Sequence, residues 1–139
     1  MTILLVEDSR FLRIASERAL LKAGYDVVSV ADGEAALVTA RERAFNLILL
    51  DMMLPKLDGL GVLRALKRDP QTATIPVIVL TGLGQKNEAK LKKEGAAAYF
   101  TKSDSLLKDN SATLLHVVES VVGKQGTEVP VAEISAPAN

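Results

Sequence analysis

The sequence predicts an α/β fold in which a parallel sheet is covered by helices. Five short apolar segments alternate with five stretches of helical period, a pattern typical of consecutive βαβ units. The run at 47–50 is apolar at every position, as in strands that are buried on both faces. A chain of 139 residues is long enough for one domain with a substantial core.

The predicted elements follow from apolar spacing and from turn residues. Strands are expected at 3–6, 27–30, 47–50, 77–80 and 97–101. Helices are expected at 9–23, 32–43, about 60–69, 86–94 and 107–122, the first of them ending at Gly24. The helix at 86–94 offers only Ala89 and Leu91 to the core, so it is predicted to be the least firmly anchored.

The composition excludes several classes of protein. Lys and Arg number 17, as do Asp and Glu, so there is no basic excess to indicate direct binding of nucleic acid. The absence of cysteine excludes disulfides, thiolate metal sites and cysteine nucleophiles. No apolar run approaches the ~18–20 residues that span a bilayer. The apolar stretch at 2–6 is not expected to be a signal peptide, because it lacks a basic region and meets Glu7 and Asp8 at once. We therefore expect a cytoplasmic protein without a membrane partner.

Polar residues follow the ends of four predicted strands. Glu7 and Asp8 come after the first strand, Asp51 after the third, Thr81 after the fourth and Lys102 after the fifth. Because the carboxyl ends of parallel strands meet at one edge of a sheet, these residues are expected to lie together. Each residue alone has an ordinary explanation, such as a loop cap at Asp51 or a strand end at Thr81. The set as a whole favours a functional site.

The predicted site has the charge balance of a divalent cation site. Three carboxylates at one edge repel one another, and a hard cation bound through oxygen removes that repulsion. Mg²⁺ is expected because it accepts few carboxylates and keeps several waters. The formal charges of three carboxylates, one Mg²⁺ and Lys102 cancel. Open metal positions, with Thr81 and Lys102, would then suit the oxygens of a phosphoryl group.

Four segments, taken in order, carry a resemblance to a known family. They read LLVEDS, LILLDMMLPKLDG, VIVLTG and GAAAYFTK. Over about residues 2–123 the chain resembles the CheY-like receiver domains of two-component response regulators. The resemblance implies a flavodoxin-like, doubly wound five-stranded parallel sheet in the order 2-1-3-4-5, flanked by five helices. It also implies a receiver domain at 1–123, and residues 124–139, rich in Pro, Ala and small polar residues, are expected to be a flexible tail or the start of a linker.

The resemblance implies a role for each site residue. Asp51 matches the phosphoacceptor, Asp8 the direct Mg²⁺ ligand and Glu7 the acidic residue that reaches the metal through water. Met53 would offer its backbone carbonyl to the metal. Thr81 matches the switch hydroxyl, Lys102 the lysine that pairs with phosphate, and Tyr99 the aromatic residue whose rotamer reports activation.

The function implied by the resemblance is a phosphorylation switch rather than an enzyme. A histidine kinase or phosphotransfer protein would transfer its phosphoryl group to Asp51 in a Mg²⁺-dependent reaction. The face built from the fourth helix, the fifth strand and the fifth helix would then change and signal to a downstream protein. The receiver would assist its own phosphorylation and dephosphorylation, and is expected to be a monomer or weak homodimer.

Two departures from the family pattern have consequences. Ser103 follows Lys102 where a proline is common, and a cis bond to a non-proline residue costs about 2.5–4 kcal/mol. The isomer of this bond therefore bears on the placement of Lys102. Met53 and Leu83 stand where family members flank the path of hydrolytic water, and neither side chain can orient one. Slow self-dephosphorylation is the expected result.

Several alternatives stay open from the sequence. The chain could be a phosphate-independent binding module that keeps only the fold, or a receiver cut from a larger regulator. A haloacid dehalogenase type of phosphatase needs a second Asp where Met53 stands, which disfavours it. Tyr99 could serve only as core filler, and His116, in the middle of a predicted helix, is expected at the surface.

Overall fold

The five predicted strands form one parallel sheet with the order β2-β1-β3-β4-β5 in a computed structural model. The structure describes residues 1–52, 54, 58–81, 88–101 and 112–126. The strands are β1 (Thr2–Val6), β2 (Asp26–Val30), β3 (Leu47–Asp51), β4 (Val77–Thr81) and β5 (Ala98–Thr101). The helices are α1 (Arg10–Lys22), α2 (Gly33–Glu42), α3 (Gly59–Arg68), α4 (Glu88–Lys93) and α5 (Ala112–Gly126). The predicted strand order is confirmed, and the described residues contain the five predicted helices.

The central strand β3 is buried along its whole length, as its continuous apolar run predicts. It pairs with β1 on one side and with β4 on the other, and both pairings are parallel. In this register Val6 lies beside Leu50, and Asp51 lies beside Leu80. The carboxyl ends of the three neighbouring strands therefore reach the same edge of the sheet.

Helices cover both faces of the sheet, which makes the fold doubly wound. On one face the sheet packs against buried residues of α2, α3 and α4: Ala36, Ala40, Val62, Leu63, Leu66 and Leu91. On the other face it packs against buried residues of α1 and α5: Leu20, Leu114, Val118 and Val122. Each strand thus separates two apolar layers, and its residues contribute to them alternately.

Polar caps fix where the helices begin. The side chains of Ser9, Asp32 and Asp58 each accept a hydrogen bond from the backbone amide three residues later, at 3.3, 2.8 and 2.8 Å. Gly24, predicted to end α1, follows that helix with φ +101°, a conformation that favours glycine. The caps of α1 and α3 lie next to the edge of the sheet that carries the acidic residues.

The structure corrects three predictions about the helices. Ala89 is exposed, so Leu91 is the buried apolar residue of the described α4, because a six-residue helix turns only a narrow face to the sheet. Phe11, part of the apolar pattern of α1, is 65% exposed since it lies on the face of α1 away from the sheet. Helix α5 continues to Gly126, past the expected end at 122 and into the predicted flexible tail.

The continuation of α5 has a simple cause, because Lys124 and Gln125 are good helix formers. The predicted start of this helix at 107–111 and the rest of the predicted tail, 127–139, lie outside the described residues. Within the part of the chain that the structure describes, no helix combines the length and apolar character needed to cross a membrane.

Candidate functional site

Three carboxylates converge at the carboxyl edge of the sheet. Glu7 and Asp8 directly follow β1, and Asp51 is the last residue of the neighbouring strand β3. One oxygen from each of the three side chains lies within 4.8 Å of the others. Glu7 and Asp51 are buried, with 1% and 0% exposure, whereas Asp8 faces solvent. The site is therefore an acidic cluster that is buried at Glu7 and Asp51 and has a mouth open to solvent at Asp8.

Backbone and side-chain hydrogen bonds hold Glu7 in this position. Its amide donates to the carbonyl of Val30 at 3.1 Å, which extends the contact between β1 and β2 by one residue. Its Oε2 atom accepts a hydrogen bond from the amide of Ser9 at 3.2 Å. The side chain of Glu7 is thus directed back toward the start of α1.

A cation on α1 also contacts this loop. The Nη1 atom of Arg13 donates to the carbonyl oxygen of Glu7 at 3.0 Å and to that of Asp8 at 3.4 Å. Arg13 therefore spans the two consecutive residues that supply carboxylates to the cluster.

The loop that leaves β3 packs tightly against the start of α3. The amide of Met52 donates to the carbonyl of Leu80 at 2.9 Å, and the amide of Gly59 donates to the carbonyl of Met52 at 3.2 Å. A Cβ atom on Gly59 would lie only 2.4 Å from the Cα of Met52 and 2.7 Å from the carbonyl oxygen of Asp51. Glycine at 59 therefore allows α3 to begin directly against the residue that bears the central carboxylate.

The donor set of the cluster fits a hard divalent cation. Three carboxylate oxygens from Glu7, Asp8 and Asp51 are close enough to share one ion. Oxygen-only ligands favour Mg²⁺, Ca²⁺ or Mn²⁺ over Zn²⁺, which prefers nitrogen and sulfur. The exposed mouth at Asp8 leaves room for water or an incoming oxygen.

The structure brings together part of the predicted site. The predicted cluster of Glu7, Asp8 and Asp51 is confirmed as a geometric unit. Thr81 ends β4, one residue beyond the partner of Asp51, so its backbone reaches the same edge. The side chain of Thr81, together with Met53, Leu83, Lys102 and Ser103, lies outside the described residues. The predicted roles of these residues, and slow self-dephosphorylation, stay predictions.

Tyr99 and His116 are both placed by the structure. Tyr99 lies on β5 opposite Val79, is partly buried, and packs against the core on the α2–α4 face of the sheet. This position is compatible with core packing and with a predicted switch role. His116 is exposed on α5, as predicted from the sequence.

Two contributors to the site were not identified from the sequence. Arg13 follows Ser9 by four positions, or one helical turn. Helical spacing could therefore have predicted that its side chain approaches the loop before the helix. Gly59 follows a helix-capping aspartate, which is a local sign of a helix start but not of a close backbone approach. Only the packing of α3 against β3 shows why glycine is needed there.

Comparison with known proteins decides the family. The response regulator receiver domain family matches residues 3–110, most of the chain. The chain belongs to this family. The receiver is 42% identical over 104 residues to a gliding motility regulatory protein of Myxococcus xanthus, covering 73% of this chain and 13% of that protein. It is 41% identical over 101 residues to the DNA-binding dual master transcriptional regulator RpaA of Synechocystis, covering 72% of this chain and 42% of that protein.

The receiver spans less than half the length of these two relatives. Its fold is also shared with solved receiver domains. A CheY-like receiver protein from Methanospirillum hungatei superposes with a TM-score of 0.80 at 26% identity, covering 92% of this chain and 98% of that chain. The receiver domain of a sensor histidine kinase from Pseudomonas aeruginosa has a TM-score of 0.77 at 30% identity, covering 88% and 97%. That protein was solved with a magnesium ion coordinated in its active site cleft.

Proposed function

We propose that this receiver accepts a phosphoryl group on Asp51 from a histidine kinase or a phosphotransfer protein, in a reaction that requires Mg²⁺. The single observation that supports this most directly is the convergence of Glu7, Asp8 and Asp51 within 4.8 Å at the open edge of the sheet. Membership in the receiver family supplies the reaction class. The chain would act as a phosphoacceptor that assists its own phosphorylation and dephosphorylation, not as an enzyme that turns over a separate substrate.

The chemical step is a displacement at phosphorus. A carboxylate oxygen of Asp51 attacks the phosphorus of a phosphohistidine, forming a P–O bond while the P–N bond breaks. The imidazole leaves with the electron pair of that bond and takes up a proton, and Asp51 becomes an acyl phosphate. Such a step depends mainly on alignment and on neutralisation of charge. The rigid end of β3, buried on both faces, supplies the alignment.

The acidic residues around Asp51 have a separate task. Glu7 and Asp8 would hold Mg²⁺ beside Asp51, together with the backbone carbonyl of Met53. When bound, the ion neutralises the carboxylates and draws phosphoryl oxygens toward Asp51. The magnesium-bound Pseudomonas receiver, which shares this fold, supports the choice of metal. Lys102 and Thr81 would contact the phosphoryl oxygens from the ends of β5 and β4.

The proposed output is a change in the face formed by α4, β5 and α5. Phosphorylation would draw Thr81 toward the phosphate and allow Tyr99 to turn inward, which shifts a pre-existing equilibrium. A downstream protein would bind this face in the phosphorylated state. Tyr99 already packs beside the core on the α4 side of the sheet, next to the residue that pairs with it on β4.

Labelling with a small phosphodonor tests the proposal. Purified protein is incubated with acetyl phosphate, with and without Mg²⁺, and the modified residue is located by intact mass and peptide mapping. We expect one phosphoryl group on the wild type in Mg²⁺ and none on Asp51→Ala. Asp26→Ala is the matched control, since Asp26 is an exposed carboxylate at the start of β2, at the opposite edge of the sheet from Asp51. Phosphotransfer profiling against candidate histidine kinases would then identify the donor.

Two results would contradict the proposal. Equal labelling of the wild type and Asp51→Ala would exclude Asp51 as the acceptor. An absence of labelling from both acetyl phosphate and all kinases, with no binding of beryllofluoride in Mg²⁺, would instead favour a phosphate-independent binding module.

A further inference from the structure

We propose that Arg13 is a positioning residue of the cation site: it holds the β1–α1 turn so that Glu7 and Asp8 present their carboxylates to the same ion. This inference rests on the proposed function of the site. It concerns a residue of α1 that lies outside the acidic cluster and acts through it.

The chain turns sharply where β1 ends. Successive residues of an extended strand point to opposite faces, so two consecutive side chains do not normally meet. Glu7 and Asp8 are consecutive, yet each brings a carboxylate oxygen within 4.8 Å of the other and of Asp51. The chain must therefore turn at these two residues, and β1 indeed ends at Val6, immediately before them.

Hydrogen bonds to the backbone hold this turn on both its amide and its carbonyl side. The amide side of Glu7 is fixed by its hydrogen bond to the carbonyl of Val30. The carbonyl side of both residues is held by Arg13, whose Nη1 donates at 3.0 and 3.4 Å. One guanidinium nitrogen thus bridges the two peptide groups on either side of Asp8, and these two groups set the direction of its side chain. A planar, always charged guanidinium is suited to this bridging in a way that a lysine ammonium is not.

The charge of Arg13 would have the opposite effect on cation binding. A positive group near the cluster repels an incoming divalent cation, so removal of charge alone would tighten binding. Loss of the positioning hydrogen bonds would weaken binding. The two effects differ in sign, and they can be separated with Arg10, an exposed arginine in the first turn of the same helix.

The experiment measures the Mg²⁺ dissociation constant by isothermal titration calorimetry for the wild type, Arg13→Gln, Arg13→Lys and Arg10→Gln. We expect Arg13→Gln to raise the dissociation constant by about tenfold, as removal of residues that orient metal ligands commonly does. Arg13→Lys keeps the charge but not the planar fork, and should also bind Mg²⁺ more weakly than the wild type. Arg10→Gln should bind Mg²⁺ as tightly as the wild type or more tightly.

A second measurement needs no metal. The amide of Ser9 donates to Glu7 Oε2, so amide hydrogen exchange at Ser9 in metal-free protein reports whether the turn keeps its geometry. Exchange should be faster in Arg13→Gln and unchanged in Arg10→Gln, relative to the mean exchange of β1. Far-UV circular dichroism of each variant checks that the fold is retained, and Arg13→Lys serves if Arg13→Gln does not fold.

The outcomes separate this inference from the proposed function. If Arg13→Gln binds Mg²⁺ as tightly as Arg10→Gln and leaves Ser9 exchange unchanged, the positioning role is wrong. If the wild type itself does not bind Mg²⁺, the metal requirement of the proposed function fails. Ser9 exchange then decides the role of Arg13 in holding the turn.

Discussion

Glu7 and Asp51 are carboxylates buried at the edge of an apolar sheet, where burial of charge opposes folding. Their positions suit a site that gains a cation rather than one selected for stability of the metal-free chain. Hydrogen bonds such as that from Ser9 to Glu7 offset part of the cost. These two buried carboxylates thus lower the stability of the metal-free fold, and the apolar core must compensate for that loss.

The geometry of the loop that follows Asp51 depends on glycine at position 59. Gly59→Ala would place a methyl group 2.4 Å from a backbone Cα, a contact that only a shift of α3 or of the Asp51–Met52 segment can relieve. We expect a loss of about 1–3 kcal/mol in the free energy of unfolding, typical of overpacking. Urea denaturation measures this loss, and labelling by acetyl phosphate should also slow because the loop bearing Asp51 moves.

Gly123→Ala is the control for this substitution. Gly123 lies within α5, and a Cβ there would meet no heavy atom within 4 Å among the described residues. Alanine at this position should stabilise the protein by about 0.5–1 kcal/mol, the usual helix preference. Equal stability of Gly59→Ala and the wild type would show that the close approach at Met52 is not maintained in solution.

Helix α4 is tied to its neighbours by few buried contacts. Leu91 is its buried apolar residue, as the sequence partly predicted. Just beyond the helix, Glu94 accepts two hydrogen bonds from Arg64 on α3, from Nε at 3.1 Å and from Nη2 at 2.9 Å. Gly95, with φ +110°, then packs over the stem of Lys67. The attachment of α4 is therefore largely polar, which makes it a suitable element for a conformational switch.

Lys67, also on α3, forms hydrogen bonds with the loop before β4. Its ammonium donates to the carbonyls of Ala73 and Ile75, at 3.1 and 2.9 Å. Partial burial lowers the pKa of Lys67. Helix α3 thus holds the loop before β4 and the turn after α4 through adjacent side chains.

The pair between Arg64 and Glu94 predicts a pH effect that is local to α4. The hydrogen bond from Arg64 lowers the pKa of Glu94 in the folded protein. A lowered carboxyl pKa stabilises the fold at pH values above the unfolded pKa, and this contribution is lost as the pH falls through the folded pKa. In Glu94→Gln we expect the amides of α4 to exchange roughly threefold faster at pH 7. The difference from the wild type should shrink as the pH falls through the lowered pKa of Glu94, which lies below the ordinary glutamate pKa of about 4.3.

Glu42→Gln is the matched control for the pair. Glu42 is an exposed glutamate at the end of α2. In the sequence, α3 lies between this helix and α4. Substitution of Glu42 should leave exchange in α4 unchanged at every pH. A pH-independent effect of Glu94→Gln would indicate that side-chain shape, and not the charge of Glu94, holds the helix.

On the scale of the whole molecule, binding of a cation at one edge of the sheet should raise the free energy of unfolding of the whole fold. A cation held by Glu7, Asp8 and Asp51 would contact the ends of β1 and β3, which lose their arrangement on unfolding. Mg²⁺ at ten times its dissociation constant should therefore raise the free energy of unfolding by about 1.4 kcal/mol. For a chain of this size the melting temperature should rise by about 4–6 °C.

Thermal denaturation with MgCl₂, compared with KCl at equal ionic strength, measures this effect. Asp8→Asn should remove most of the response, and Asp26→Asn should keep it, since Asp26 lies at the other end of the sheet. A melting temperature that is indifferent to millimolar Mg²⁺ would contradict a metal site at this edge.

Much of the fold could be predicted from local patterns. The strands at 47–50 and 77–80 could be predicted because each is a continuous apolar run, which is the pattern of a strand buried on both faces. The acidic cluster was predicted because parallel strands share a carboxyl edge. The resemblance to receiver domains supplied the strand order, since apolar spacing alone does not order strands in a sheet.

The sequence by itself determined which segments become strands and which residues stand at their carboxyl ends, because an inner strand such as β3, buried on both faces, is apolar along its run. Only the tertiary structure decided that Gly59 abuts Met52 and that Phe11 faces outward. These contacts depend on how a helix is rotated and how closely it approaches the sheet. Those quantities are set by packing between distant segments, and no local pattern specifies them.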